Sequence, residues 1–422
     1  MSEPMTERPT GFDRFGLHEA LIRGIRSAGF DRPRPIQIEA IPAGLQGRDV
    51  LGLAQTGTGK TAAFALPLLD RVLRDRRRAT RALILAPTRE LATQIAEEIR
   101  TLAKFARLKV AVVYGGVPVH KQTGILRSRP EIVVGCPGRV LDMIERDVLR
   151  VADIETLVLD EADHMFDMGF LPGIRKILKT LPRDRQNLLF SATMPRAVRG
   201  FADDLLARPH VIELADQAPV KTIDHAVILV GENGKRELLE HLLGEEGCDS
   251  AIVFTRTKHR ARRLADQLSK AGHPAIGLQG NLSQNQRDRA MKGFRSRRYK
   301  ILVATDIVAR GIDVSDVSHV INFDVPTTPE AYTHRIGRTG RAEREGTACT
   351  FVTGGDHAWL RATERMIGSS IQRRTVEGFG SDRDTPELAS SSRSHHLSRG
   401  PRPSRHPASR SNRRRRSRKR AG

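Results

Sequence analysis

Residues 157–163 read Leu157-Val158-Leu159-Asp160-Glu161-Ala162-Asp163, an apolar run that breaks into three acids within four positions. Such a run is a buried-type strand, and it delivers carboxylates at a sheet edge, where one can hold Mg²⁺ and another can work on water. Earlier in the chain, Ala54-Gln55-Thr56-Gly57-Thr58-Gly59-Lys60-Thr61 follows the apolar Val50 to Leu53. It carries Ala at the first position of the common Gly-x-x-x-x-Gly-Lys-Ser/Thr pattern. A glycine-rich loop of this kind points backbone N–H groups at phosphate, and its Lys and Thr address the outer phosphates and Mg²⁺. Each stretch alone has a bland alternative, a glycine-rich turn or a solvated acidic turn. Together they imply cleavage of a nucleoside triphosphate, with Asp160 toward Mg²⁺ and Glu161 toward the attacking water.

Working outward, strand-length apolar runs alternate with amphipathic stretches. Ala82 to Ala86, Val110 to Val113, Ile132 to Val134 and Leu188 to Phe190 are such runs, and Arg89 to Leu102 has helical spacing through Leu91, Ile95 and Ile99. A second half repeats the pattern at Ala251 to Phe254, Ile301 to Val303, Val320-Ile321 and Ala348 to Val352. Strands separated by helices predict an α/β fold of parallel sheets covered on both faces. Polar residues gather just after the runs, at Pro87 to Glu90, Ser191 to Thr193, Thr255 and Thr305-Asp306. Ligands of open α/β sheets bind there, beyond the carboxyl ends of the strands. Leu214 to Thr222 reads as a linker, and after about Arg374 a Ser/Arg-rich stretch reads as a disordered basic tail.

The 422 residues are long enough for two domains, and the net charge of +22 points to a polyanionic partner. Between Ser381 and Gly422 thirteen Lys/Arg face three acids, so part of that charge is local to the tail, a candidate nucleic-acid tether. Aromatics are only 4%, which argues against bases held on aromatic platforms and for contact with phosphate and sugar. Cys136, Cys248 and Cys349 never form a Cys-x-x-Cys pair, which fits inert thiols in a reducing cytosol. No apolar run resembles a signal peptide or a membrane span, so the expected location is cytoplasmic.

With residues 160–163 spelling Asp-Glu-Ala-Asp, the chain resembles a DEAD-box ATP-dependent RNA helicase, most similar to the bacterial RhlE-like group, over roughly Phe12 to Arg373. The resemblance implies two tandem RecA-like domains: a Q motif at 10–38, an ATP-binding domain at 39–213, a linker at 214–222, a second domain at 223–373 and the tail at 374–422. Gly29 to Gln37 resembles the Q motif, in which Gln37 would read one edge of adenine, Phe12 would stack on the base and Arg32 would border it. Gln55, Thr56, Gly57, Thr58, Gly59, Lys60 and Thr61 would hold the phosphates of ATP, and Thr61 with Asp160 the Mg²⁺. His334 to Arg341 resembles the motif that reaches across from the second domain, with Arg338 and Arg341 as arginine fingers. Asp313 matches a nucleotide contact, and Arg310 and Asp306 belong near the same junction. Asp163, Ser191, Thr193 and His334 would couple hydrolysis to strand separation, Ser191 and Thr193 through hydrogen bonds to Asp163.

The resemblance further implies RNA contacts at Pro87, Thr88, Arg89, Glu90, Gly115, Gly116, Arg139, Thr255, Gln284, Arg287 and Thr305. These are small hydroxyls, glycine amides and arginines suited to sequence-independent backbone recognition of single strands and short duplexes. Two positions depart from the family pattern. Cys136 precedes Pro137-Gly138-Arg139 where Thr is usual, and Gln279 precedes Gly280 where His is common; both put unwinding strength in question. Two other readings stay open: an ATP-gated RNA clamp or annealing chaperone, and a DNA-directed motor. Ribosomal or RNA-decay complexes are conceivable settings that the residues do not choose between.

Overall fold

The computed structural model describes residues 11–54, 57–75, 77–214, 223–306, 317–340 and 346–379. Its strands are β1 (Val50–Leu53), β2 (Ala82–Leu85), β3 (Val110–Val113), β4 (Ile132–Gly135), β5 (Thr156–Leu159), β6 (Gln186–Ser191) and β7 (His210–Glu213) in a first sheet. A second sheet holds β8 (Ile223–Leu229), β9 (Ala251–Phe254), β10 (Ala275–Leu278), β11 (Ile301–Ala304), β12 (His319–Asn322), β13 (Gly346–Val352) and β14 (Gln372–Arg373). The strand orders are 3-4-2-5-6-1-7 and 10-11-9-12-13-8-14, every pairing parallel. Counted from its own first strand, the second sheet has the order of the first. The fold is two tandem RecA-like lobes, as the alternation of runs implies.

Strand side chains alternate between faces, and in each sheet both faces are dry. Ala82, Ile84 and Val158 enter one core cluster of the first lobe, while Leu83, Leu85, Leu157 and Leu159 enter the other. In the second lobe Ile252 and Phe254 face one cluster and Val253 the opposite one. The covering helices follow from capping and spacing. Thr88 caps the helix Arg89–Leu102 by accepting from Leu91 N at 3.2 Å, and Leu91, Ile95 and Ile99 are its buried stripe. Thr257 does the same for Lys258–Lys270, and Ser283 with Gln286 forms a capping box for Gln284–Arg295.

Two expected boundaries move. The Q-motif segment is not a unit apart: Phe12, Leu21, Ile25 and Ile36 belong to the first lobe's core, and the helix Pro35–Leu45 runs through the expected break at residue 38. The second lobe does not stop at Arg373. Val376 is buried in its core, Arg374 pairs with Glu245 at 2.9 Å, and Phe379 packs on His241. Apolar positions two and five residues past Arg374 lie in a stretch too short to show a period. Residues 215–222 of the expected linker and 380–422 of the expected tail lie outside the described residues.

Candidate functional site

In a parallel sheet all carboxyl ends lie on one edge, so the loops after β1, β2, β4, β5 and β6 converge without any long-range device. The loop after β1 ends at Gly59, whose φ of +91° needs glycine, and Lys60 opens the helix Lys60–Arg74. Lys60 Nζ donates to the Ala54 carbonyl at 2.9 Å and stands 4.0 Å from Asp160 Oδ1, both side chains being buried. Asp160 is pushed up to about 6, by burial first, with Lys60 opposing and Glu161 adding to it. Glu161 sits at φ +52°, a left-handed backbone uncommon for a residue with a Cβ, which turns the chain from β5 into the next helix. Burial would raise its pKa. The His164 hydrogen bond at 3.3 Å and the charges of Lys60 and Arg338 outweigh that and hold it down to about 2. Arg338 is itself buried, so a cation of the second lobe acts on a carboxylate of the first.

The loops after β5 and β6 are tied together. Asp163 Oδ2 accepts from Thr193 N at 2.9 Å and from Thr193 Oγ1 at 2.7 Å. Ser191 Oγ accepts from Asp163 N at 3.2 Å and donates to the Thr193 carbonyl at 2.8 Å. His334 lies half-buried in the last turn of the second-lobe helix Pro329–Ile336, next to the buried Arg335. Thr61 is half-buried in the first helical turn, Thr58 is half-buried and Gly57 exposed in the loop. Gln55, Thr56, Arg310, Asp313 and Arg341 lie outside the described residues.

The adenine-side expectations change most. Gln37 is 1% exposed, and its amide is spent inside the protein: Nε2 donates to the Gly59 carbonyl at 3.1 Å and Oε1 accepts from Arg34 N at 2.9 Å. It braces the phosphate loop rather than presenting a free edge. Phe12 is 4% exposed, edge-on to Phe15 and Phe30 at 6.0 and 6.3 Å, so it packs as core and offers no open ring face. Arg32 is exposed beside this segment. Arg34, which the sequence did not single out, hydrogen-bonds the Gly57 carbonyl.

The RNA-side residues line the same carboxyl edges. The Arg89 guanidinium lies against Gly116, where a Cβ would come within 2.3 Å of it. Arg139 donates to the Val117 carbonyl at 3.0 Å, next to Gly115 and Gly116. Pro87 and Thr88 are buried at the end of β2, Thr255 and Thr305 are buried at the ends of β9 and β11, and Gln284 starts its helix. Arg287 is not free for a strand: its Nε is 3.2 Å from Glu90 Oε1, and the buried arginine and the half-buried glutamate bridge the lobes. Cys136 is buried beside this pair, its thiol pushed up to about 12 by burial first and by Glu90. Gln279 is buried and caps its own turn by accepting from Asn281 N at 2.9 Å. Arg335, in the same His334 to Arg341 motif, is a hub of the second lobe. It makes a bidentate pair with Asp306 at 2.6 and 2.7 Å and donates to Asn322 Oδ1 and the Asp324 carbonyl.

Sequence reasoning missed His164 and Arg34, and it placed Glu90 among the RNA contacts without its partner Arg287. Only His164 had a local signal, standing three residues after Glu161 on the same helix face.

Comparison with known proteins agrees with this geometry. Residues 34–201 match the DEAD/DEAH box helicase family and residues 234–343 the helicase conserved C-terminal domain. The chain is 44% identical over 365 residues to the DEAD-box ATP-dependent RNA helicase CshA of Bacillus cereus, covering 86% of this chain and 69% of the relative. It is 43% identical to CshA of Bacillus subtilis, over 86% of this chain and 73% of that one. These relatives bear the CshA name, so the RhlE-like subgroup gains no support from them. Among solved structures, S. cerevisiae Dbp5 bound to RNA and ADP BeF3 superposes with a TM-score of 0.78 at 35% identity, over 87% of this chain and 96% of that chain. Mss116p bound to ssRNA and AMP-PNP gives a TM-score of 0.79 at 28% identity, over 89% and 81%. Both lobes, the phosphate loop and the acidic strand end therefore put this chain in the DEAD-box family of ATP-dependent RNA helicases.

Proposed function

We propose that ATP binds the first lobe through residues 55–61 and that RNA lies across both lobes at the carboxyl edges of the sheets. Joint binding closes the cleft, and the closed form holds one strand bent, so that a few base pairs open locally. Lys60 steadies the outer phosphates. Glu161, held ionised near 2, orients water by accepting its hydrogens. The water oxygen bonds the γ-phosphorus as the bridging P–O bond breaks, its electron pair staying on ADP; the water's hydrogens leave with inorganic phosphate, which gives one up to solvent. Arg338 and Arg341 offset the charge that grows on the γ-phosphoryl oxygens. The observation that carries this reading is the convergence at one sheet edge of Lys60, Asp160 and the Asp163–Thr193–Ser191 tie.

Mg²⁺ suits the donor set, because Thr61 and Asp160 are hard oxygen ligands and the raised Asp160 is a buried carboxylate short of positive charge. When bound, the ion neutralises phosphate charge. Asp163, held by Thr193 and Ser191, couples the acidic loop to the loop after β6. The exposed Gly116 and the half-buried Arg89 and Arg139 favour sequence-independent RNA contact, with residues 380–422 as an electrostatic tether. Cytoplasmic action accords with the three free thiols.

The test is ATP hydrolysis with and without single-stranded RNA, for the wild type and Glu161→Gln. Strong stimulation abolished in the variant is the expected result. RNA binding without stimulation would favour the clamp or chaperone reading instead.

A further inference from the structure

The nucleotide and RNA residues use only the carboxyl edge of the first sheet. At the opposite edge, before β1, β6 and β7, lies a cavity of about 990 Å³. Strand β1 separates the two edges by four residues, about 13 Å of extended chain. Five cations line the cavity, Arg48, Lys179, Arg183, Arg185 and Arg208, against one acid, Asp49. Asp49 is buried and committed to backbone, Oδ1 accepting from Asn187 N at 2.7 Å and Oδ2 from Ala207 N at 2.8 Å. Arg185 is fixed by donating to Asn187 Oδ1 at 2.9 Å. Arg48, Lys179, Arg183 and Arg208 form no ion pair among the described residues, and all four are exposed. Five positive charges facing one basin repel one another, and an anion placed there removes that cost.

We propose that this basin is a second RNA contact, binding the phosphate backbone of the duplex that flanks the strand in the cleft. Four of the five cations are arginines, whose planar forks suit phosphate oxygens. Among the described residues no aromatic side chain lines the cavity, so the contact reads backbone alone. Its place on the first lobe lets the protein hold duplex while the cleft grips a strand. The inference rests on the RNA-dependent activity above.

The experiment uses the full chain carrying Lys179→Glu, Arg183→Glu and Arg208→Glu, three exposed positions. Its control reverses Arg262, Arg263 and Lys270, exposed on the second-lobe helix Lys258–Lys270. Anisotropy of a labelled duplex with a single-stranded overhang is followed across KCl concentrations, beside ATPase stimulated by a short single strand. The basin variant is expected to bind the overhang duplex at least tenfold more weakly at low salt. Its log–log salt slope should be shallower by about two to three, for three phosphates at roughly 0.7–0.9 each. The control should shift neither quantity comparably, and short-strand ATPase should match the wild type in both. Equal slopes for basin and control variants overturn the proposal, as does a parallel loss of short-strand ATPase. A wild type unstimulated by RNA would instead remove the underlying function and leave the basin's charge to another ligand.

Discussion

The pair between Glu90 and Arg287 gives two incompatible expectations for one acid. As a pure RNA ligand, Arg287 would bind phosphate, and Glu90 beside it would only repel the strand. As an interlobe pair, both residues hold the cleft shut. At 3.2 Å and an effective dielectric of about 20, the attraction is about 5 kcal/mol. Burial opposes it: desolvation lowers the Arg287 pKa, Glu90 resists that and nearby Arg89 adds to it. Because burial opposes the pair, the net coupling belongs near the lower end of the roughly 1.5–7 kcal/mol found for close interfacial charges, about 2 kcal/mol. That is about 30-fold in affinity. Glu90→Ala and Arg287→Ala should therefore each weaken RNA binding by about that factor, measured by anisotropy with a non-hydrolysable ATP analogue. The double variant should lose no more than either single one. Tightening in Glu90→Ala, or losses that add, would refute the pair and return Arg287 to the strand.

Gly59→Ala combines φ +91° with a Cβ 2.5 Å from Gln37 Nε2, so it should displace the glutamine brace and raise the KM for ATP at least tenfold; a KM within twofold of wild type would sink the bracing role. Thr193→Val removes the hydroxyl donor to Asp163 but keeps the backbone one. The expected result is RNA-stimulated ATPase within a few-fold of wild type with unwinding down about tenfold, and equal losses in both would make the contact purely structural. In the second lobe, burial lowers the pKa of His225 below 6.5 against the pull of Asp224, and burial likewise lowers His319. The native state thus binds fewer protons than the unfolded chain, so their contribution is full above 6.5 and is lost as pH falls through the folded values. Denaturant midpoints should drop between about pH 7 and 5, and His225→Gln should flatten that drop; an unchanged profile would show that other groups govern acid stability.

How much was legible depended on where the information lay. Runs such as Ile132 to Val134 and Leu157 to Leu159 were readable because strands buried on both faces are apolar throughout. By contrast β7 and β10 carry His210 and Gly277 and are marked by no unbroken run, while β8 opens on the polar Asp224-His225 and its run Ala226 to Val230 went unread beside the expected linker. They are strands because neighbouring backbones supply the ladder. In the site, Lys60, Asp160, Glu161, Asp163, Ser191 and Thr193 were legible since their chemistry is set by spacing along the chain. Glu90 with Arg287, and Arg34 with Gly57, meet across long separations and have no local pattern. Gln37 and Phe12 were found as residues but not as contacts, because burial and partner choice depend on packing.

The shared strand order gives the two lobes corresponding loops, and their comparison shows how one frame yields two roles. The loop after β1 corresponds to the loop after β8, and the end of β5 to the end of β12. Lys60 begins the helix after β1, and Lys235 begins the helix Lys235–Leu243 after β8. Lys60 stands 4.0 Å from Asp160, and Lys235 stands 3.7 Å from Asp324. The second constellation carries its own anion and cation: Glu232 pairs with Lys235 at 3.0 Å, and Arg260 reaches Asp324 at 2.9 Å. A lysine so neutralised has little left for a phosphate, whereas Lys60 faces carboxylates whose titration is strongly perturbed by burial. Thr305 after β11 likewise corresponds to Cys136 after β4, so the hydroxyl that the first lobe lacks is present at the matching place in the second. On the mechanism proposed above, nucleotide chemistry falls to the lobe whose Lys60 and Asp160 stand together without counterparts of Glu232 and Arg260 among the described ion pairs, and the other lobe contributes Arg338.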